Sequence, residues 1–275
     1  MNGRFGLPVV RLVASVPDGD GRGVELDWTE SAMWTRELIS EDQIELWQID
    51  LDAVADVAVA RLRQALSADE CARADRFRFD RDRCRFVITR GALRCLLAGS
   101  VGVSPAAIRF RYGLAGKPLI AGRAAGVGVH FNVTHSGNLA LIAITRAGDI
   151  GIDLEPVRDL PDWEGVANLV FDARQVAQLH SFAEPRRMQA FFRAWTRKEA
   201  IAKARGTGLG GAELNGPFTL STFSFFPNWV VSIAAPPQVR FLRCRGWDSD
   251  ILSPSLTVRH HAPFSPAAAD SAVNI

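Results

Sequence analysis

Hydrophobic and polar positions alternate along this chain with two different periods. IELWQIDLD, residues 44–52, carries apolar side chains at close to every second position, the spacing of a strand. VAVARLRQAL (57–66) and RDRCRFVITRGALRCLLAGS (81–100) space their apolar residues three and four apart, which predicts two helices, the longer one stopped by Gly102. Short strands follow in IRFRYG, VGVHFNV and LALIAIT, separated by GKP, a Gly/Ala-rich stretch and SGN, and the turn RAGD leads into a further strand, IGIDLEPV. Helical pattern then resumes from about residue 163 to 183 and again from 186 to 204, before three strands, FTLSTFSFF, WVVSIAA and VRFLRCRGW.

The second run of elements repeats the first. IDLD at 49–52 returns as IDLE at 152–155, an offset of 103, and TRGALR at 89 returns as TRKEAI at 196, an offset of 107. Similar element order at a similar offset predicts two related α+β halves, too long for the repeats of a solenoid. The expected division is an N-terminal extension (1–43), an N-terminal subdomain (44–149), a C-terminal subdomain (150–260) and a tail (261–275). The extension and tail show no sustained period and read as loosely held.

Composition narrows the function classes. Thirty-two Lys+Arg against 30 Asp+Glu leave a formal charge of +2, which gives no ground for a nucleic-acid partner. Cys71, Cys84, Cys95 and Cys244 match neither a CxxC metal pair nor a small disulfide scaffold, and read as buried free thiols in a reducing compartment. The apolar patch LPVVRLVASV is broken by Arg11, and no uncharged apolar run approaches the roughly 18 residues of a membrane span. The expectation is a cytoplasmic protein without a membrane partner.

Candidate chemistry lies in a few short stretches. In IGIDLEPV, strand alternation turns Ile150, Ile152 and Leu154 one way and Gly151, Asp153 and Glu155 the other. Two carboxylates on one face suit either a solvated strand or a Mg²⁺ site, since Mg²⁺ takes hard oxygen ligands and leaves positions for water and phosphate. In WTRKEAIAKARGTGL, Trp195, Glu199 and Lys203 form one helical stripe, readable as a surface ion pair or as the wall of a cleft. FNVTHSG places His135 and Ser136 on the loop after a strand, idle or in contact with phosphate; with no GxSxG elbow, a nucleophilic Ser/His pair is the weaker reading. Lys117 in GKP is a turn lysine or an anion contact. Arginines are dense from Arg73 to Arg94, with Arg83, Arg90 and Arg94 on one helical stripe, a solvated basic face or a phosphate-binding wall.

GKP at 116, FNVTHS at 131, GIDLE at 151 and WTRKEAIAKARGTGL at 195, in that order, resemble the 4'-phosphopantetheinyl transferases of the Sfp type, over about residues 44 to 247. Thr134 stands where many members have Ser, and Glu70 where some carry a basic residue. The resemblance implies a pseudo-twofold α+β fold with the site between two similar subdomains. It implies transfer of the phosphopantetheine arm of coenzyme A to a serine of an apo acyl or peptidyl carrier protein, releasing 3',5'-ADP, a step of secondary metabolite biosynthesis among other pathways. It implies Mg²⁺ held by Asp153, Glu155 and Glu199, catalysis by Glu199 and Lys203, and coenzyme A held by Arg73, Arg76, Arg81, Lys117, Thr134 and His135. A chain holding both halves of the site is expected to be a monomer. Another Mg²⁺-dependent phosphate-ester enzyme and a non-catalytic binding module remain as rival readings.

Overall fold

The computed structural model describes residues 39–208, 217–225 and 228–247, together with the short strands β1 (Arg11–Ala14), β2 (Val24–Asp27), β3 (Thr29–Glu30) and β13 (Ala262–Pro263). Most of the expected extension and tail therefore lies outside the described residues.

The first half runs β4 (Gln43–Asp50), α1 (Asp56–Gln64), α2 (Ala68–Ala74), α3 (Asp80–Val101), β5 (Arg109–Tyr112), β6 (Pro118–Ala121), β7 (His130–Ser136) and β8 (Leu139–Thr145). The second runs β9 (Gly151–Pro156), α4 (Trp163–Val170), α5 (Ala173–His180), α6 (Arg186–Arg205), β10 (Thr219–Phe225), β11 (Trp229–Ala235) and β12 (Phe241–Gly246). In the first sheet β4 and β7 flank β8; in the second, β9 and β10 flank β11. Each half thus places its first strand and its penultimate hairpin strand on either side of the last hairpin strand, with antiparallel pairing throughout. Both repeated segments lie in matching elements: IDLD and IDLE at the ends of β4 and β9, TRGALR and TRKEAI within α3 and α6.

Strand alternation sorts the core into layers. Ile44 and Leu46 of β4, Leu141 and Ala143 of β8, Ile152 and Leu154 of β9 and Val231 and Ile233 of β11 share one apolar cluster, so the two sheets bury a face against each other. The opposite face of the first sheet, with Ile49, Ile142 and Ile144, packs on α1 and α3 through Leu62, Leu93 and Leu97. The opposite face of the second sheet meets α4, α5 and α6, with Val230 against Phe191 and Phe192, and Ala234 against Ala200 and Ala204. The result is helices, sheet, sheet, helices, the α+β pair of similar halves expected.

Two features depart from the linear reading. Strand β12 hydrogen-bonds in parallel to β4, from Phe241↔Gln43 to Gly246↔Gln48, so VRFLRCRGW completes the sheet of the other half. A parallel strand needs a partner brought in by a long crossover, and nothing local in the sequence announces it. The thiols are less buried than expected: all four cysteines are free, but only Cys244 is fully enclosed.

Candidate active site

The site forms where β7 and β9, the edge strands of the two sheets, lie side by side. Alternate residues of β7 reach across: the backbone N–H of Ile152 donates to Asn132 Oδ1 (2.9 Å), Thr134 Oγ1 to Asp153 Oδ1 (3.2 Å), and Ser136 Oγ to Glu155 Oε2 (3.0 Å). FNVTHS is therefore strand through Ser136, closed by the two-residue turn Gly137–Asn138 into β8, and not strand followed by loop. Neighbouring strand residues face opposite ways, so Ser136 orients Glu155 while His135 turns elsewhere; that geometry removes the Ser/His nucleophile reading.

Helix α6 crosses β9 at Gly151. A Cβ there would lie 1.9 Å from the carbonyl oxygen of Ala200 and 2.4 Å from the nitrogen of Ala204, so only glycine lets the helix descend this far. The close crossing brings Lys203 Nζ to 2.6 Å from Asp153 Oδ1 and 3.3 Å from Thr134 Oγ1. Asp153 is buried and Glu155, Trp195, Glu199 and Lys203 are half-buried, so neither the carboxylate strand nor the helix stripe is a freely solvated face. Trp195, one turn before Glu199, stacks on Phe191 of the same helix with 6.3 Å between ring centroids and packs against the core cluster that holds Trp163, Phe171 and Leu179.

Val133, Thr134, His135, Asp153, Glu155, Trp195, Glu199 and Lys203 line one open cavity of about 270 Å³. Within it Glu199 has its pKa pushed above the usual carboxyl range, first by burial and then by the nearby charges of Asp153 and Glu155, against the pull of Lys203. Carboxylates from strand and helix thus share one field. Asp153 Oδ2 is buried with no hydrogen-bond partner, an orphaned acceptor that a cation would satisfy. Among the described residues no three His, Cys, Asp or Glu stand as a ready-made metal cage. The donor set instead suits Mg²⁺, which binds through a few carboxylate oxygens and fills its shell with water and substrate phosphate.

His135 and Val133 also line a second, larger cavity of about 570 Å³, with Arg73, Phe77, Arg85, Phe86, Arg90 and Tyr112 on its walls. His135 is held below the ordinary imidazole range, chiefly by the pocket's desolvation of its ring, with repulsion from Lys203 and Arg85 in support. Of the expected coenzyme A residues, Arg73, Thr134 and His135 face these cavities. Arg76 and Arg81 are exposed and line neither, Arg81 resting 3.5 Å from Asp82. Lys117 lines neither cavity: its ammonium donates to the backbone carbonyls of Ala204 (2.9 Å) and Ile150 (3.1 Å).

Arg85 is a basic group of the site that no sequence pattern marked, whereas Arg90 belongs to the arginine stripe offered as a phosphate-binding wall. Asp52, 33 residues away, grips Arg85 through two oxygens at 2.9 Å. Buried Glu70 accepts from Arg90 Nε and Arg94 Nε, each at 2.5 Å, and Arg90 passes a further bond to Tyr112 Oη at 2.7 Å. The arginine stripe is thus not a wet basic face; Arg94 is enclosed, capped also by the carbonyls of Pro105 and Ile108. Burial alone would raise the Glu70 pKa, but Arg94, the Ser67 N–H and Arg90 together hold it below the usual range.

Comparison with known proteins matches the chain in two consecutive stretches. Residues 149–245 match the family described as the 4'-phosphopantetheinyl transferase superfamily, and residues 55–147 match the one described as 4'-phosphopantetheinyl transferase, N-terminal. The chain is 42% identical to the 4'-phosphopantetheinyl transferase HetI of Nostoc sp. over 172 residues, 62% of this chain and 72% of HetI. It is 36% identical to the 4'-phosphopantetheinyl transferase AcpT of Salmonella typhi over 113 residues, 41% of this chain and 56% of AcpT. It is 26% identical to a phosphopantetheinyl transferase of Thraustochytrium sp. over 245 residues, 82% of each chain. Most of both halves of the fold, with the strand and helix that carry its carboxylates, falls within these matches, and the chain belongs to the 4'-phosphopantetheinyl transferase superfamily.

Proposed function

We propose that this protein transfers the 4'-phosphopantetheine arm of coenzyme A to a serine hydroxyl of an apo acyl or peptidyl carrier protein, releasing 3',5'-ADP in a Mg²⁺-dependent reaction. The observation that carries the proposal is the cavity in which Asp153, Glu155, Glu199 and Lys203 meet, joined through His135 to an arginine-lined cavity large enough for a nucleotide.

Asp153, Glu155 and Glu199 are the residues that would hold Mg²⁺, which when bound screens the charge of the diphosphate. Arg73, Arg85 and Arg90 offer guanidinium donors to the phosphates of coenzyme A, and His135, which lines both cavities, offers an imidazole N–H to the diphosphate. Serine is a poor nucleophile at neutral pH. Glu199, on the wall of the cavity beside Lys203, takes the hydroxyl proton as serine oxygen attacks phosphorus. Lys203, one helical turn away, stabilises the phosphate oxygen that departs with 3',5'-ADP, while Asp153 and Thr134 hold its ammonium in place. Trp195 forms part of the cavity wall beside Glu199.

The test is incubation of the purified protein with coenzyme A, Mg²⁺ and a panel of apo carrier proteins. The expected result is a mass gain of one phosphopantetheine group on the carrier, mapped to a serine. Turnover of coenzyme A without any carrier gaining mass would refute the proposal in favour of a phosphate-ester enzyme without a protein substrate.

A further inference from the structure

The β5–β6 turn of the first half sends Lys117 into the second half. There it meets the ends of the two elements that carry the site. The Ala204 carbonyl belongs to the last turn of α6, one residue after Lys203, where helix carbonyls lack helical partners. The Ile150 carbonyl lies three residues before Asp153, at the entrance to β9. Ile150 and Ala204 are both buried, so neither oxygen has ready access to water in place of the ammonium. Asp149, half open to solvent, stands 3.5 Å away as a looser partner. The aliphatic stem lies against Gly206, where a Cβ would come 3.6 Å from Lys117 Cδ.

We infer that Lys117 is a positioning residue for the transfer step: by bridging the Ala204 and Ile150 carbonyls it sets α6 lengthwise against β9, and so places Glu199 and Lys203 relative to Asp153. The inference rests on the function proposed above and differs from a phosphate contact for this lysine. An ammonium drawn to phosphate would leave two enclosed carbonyls without a donor. A clamp acts on the alignment of reacting groups, where a displacement of about 1 Å costs on the order of a hundredfold in rate.

Lys117→Met is the variant to make, with Lys117→Arg beside it to restore donors. The expected result for Lys117→Met is a kcat lowered about tenfold or more, a KM for coenzyme A within about twofold of the parent, and faster amide exchange at residues 203–207; Lys117→Arg recovers part of the kcat. A KM raised about tenfold with kcat unchanged would return Lys117 to phosphate binding. A lowered melting temperature with both constants unchanged would reduce it to fold stability, and either outcome overturns the inference. If Lys117→Met does not fold, the same split in Lys117→Arg decides. If the parent protein modifies no carrier, the functional proposal fails by itself, and exchange at 203–207 still decides whether the clamp exists.

Discussion

At the scale of single residues, the site is bought with stability, and Glu199 shows the sign. Its folded pKa is raised above the unfolded value of about 4.3, first through burial and then through Asp153 and Glu155. A carboxyl of this kind binds its proton more tightly folded than unfolded, so its contribution is favourable below the unfolded pKa and is lost as pH rises through the folded one. Glu199→Gln is therefore expected to lower kcat by about a hundredfold or more and yet to raise the melting temperature of the metal-free protein at pH 8, a gain that shrinks toward pH 4. Thermal melts across that pH range check it. Glu70 has the opposite character. Removing it by Glu70→Ala leaves Arg94 and Arg90 without their carboxylate in an enclosed place, and should cost about 3–5 kcal/mol in urea unfolding.

At the scale of elements, the contact of α6 with β9 decides whether the site exists. Gly151→Ala puts a methyl where the carbonyl of Ala200 already stands, so the helix must lift. The expected outcome is a loss of about 1–3 kcal/mol in stability, with carrier modification falling more steeply than the folded fraction; parallel urea curves and initial rates measure both. Much at this scale was legible beforehand. Periodicity gave α3 with its end at Gly102 and α6 over about 186 to 204, and both helices stop on a left-handed glycine, Gly102 and Gly206. Alternation in IGIDLEPV gave the shared face of Asp153 and Glu155 for the same local reason. Helix α2 was missed although Ser67 and Glu70 form a capping box, since Glu70 drew attention only as a departure from relatives. Arg85 was missed because its partner, Asp52, is distant in sequence and no local period marks the pair. In sequence Lys117 reads as a turn cation or a coenzyme A contact, since nothing local points to the carbonyls of the other half that hold it.

At the scale of the whole molecule, duplication explains how one site draws on both halves. The offset of 103 that relates IDLD to IDLE takes Asp50 and Asp52 to Asp153 and Glu155. In the first half Asp52 grips Arg85 at the nucleotide-sized cavity; in the second the matching carboxylate lies beside Glu199 and Lys203. The same strand end thus serves an arginine in one half and the acidic cluster in the other. The halves are not independent, since β12 pairs with β4 and both sheets bury one shared core. A chain of residues 39–149 alone lacks both β12 and the opposing sheet. It is expected to show no cooperative urea transition by circular dichroism, whereas the full chain shows one.

In the proposed function, oxygens of a strand and a helix close on one divalent ion in front of the coenzyme A phosphates. Electron paramagnetic resonance of Mn²⁺ bound to the full chain with coenzyme A tests it most directly. One ion per chain, coupled to phosphorus, is expected, with loss of that signal in the Asp153→Asn, Glu199→Gln double variant. Retention of the same phosphorus-coupled ion by the folded double variant would contradict it.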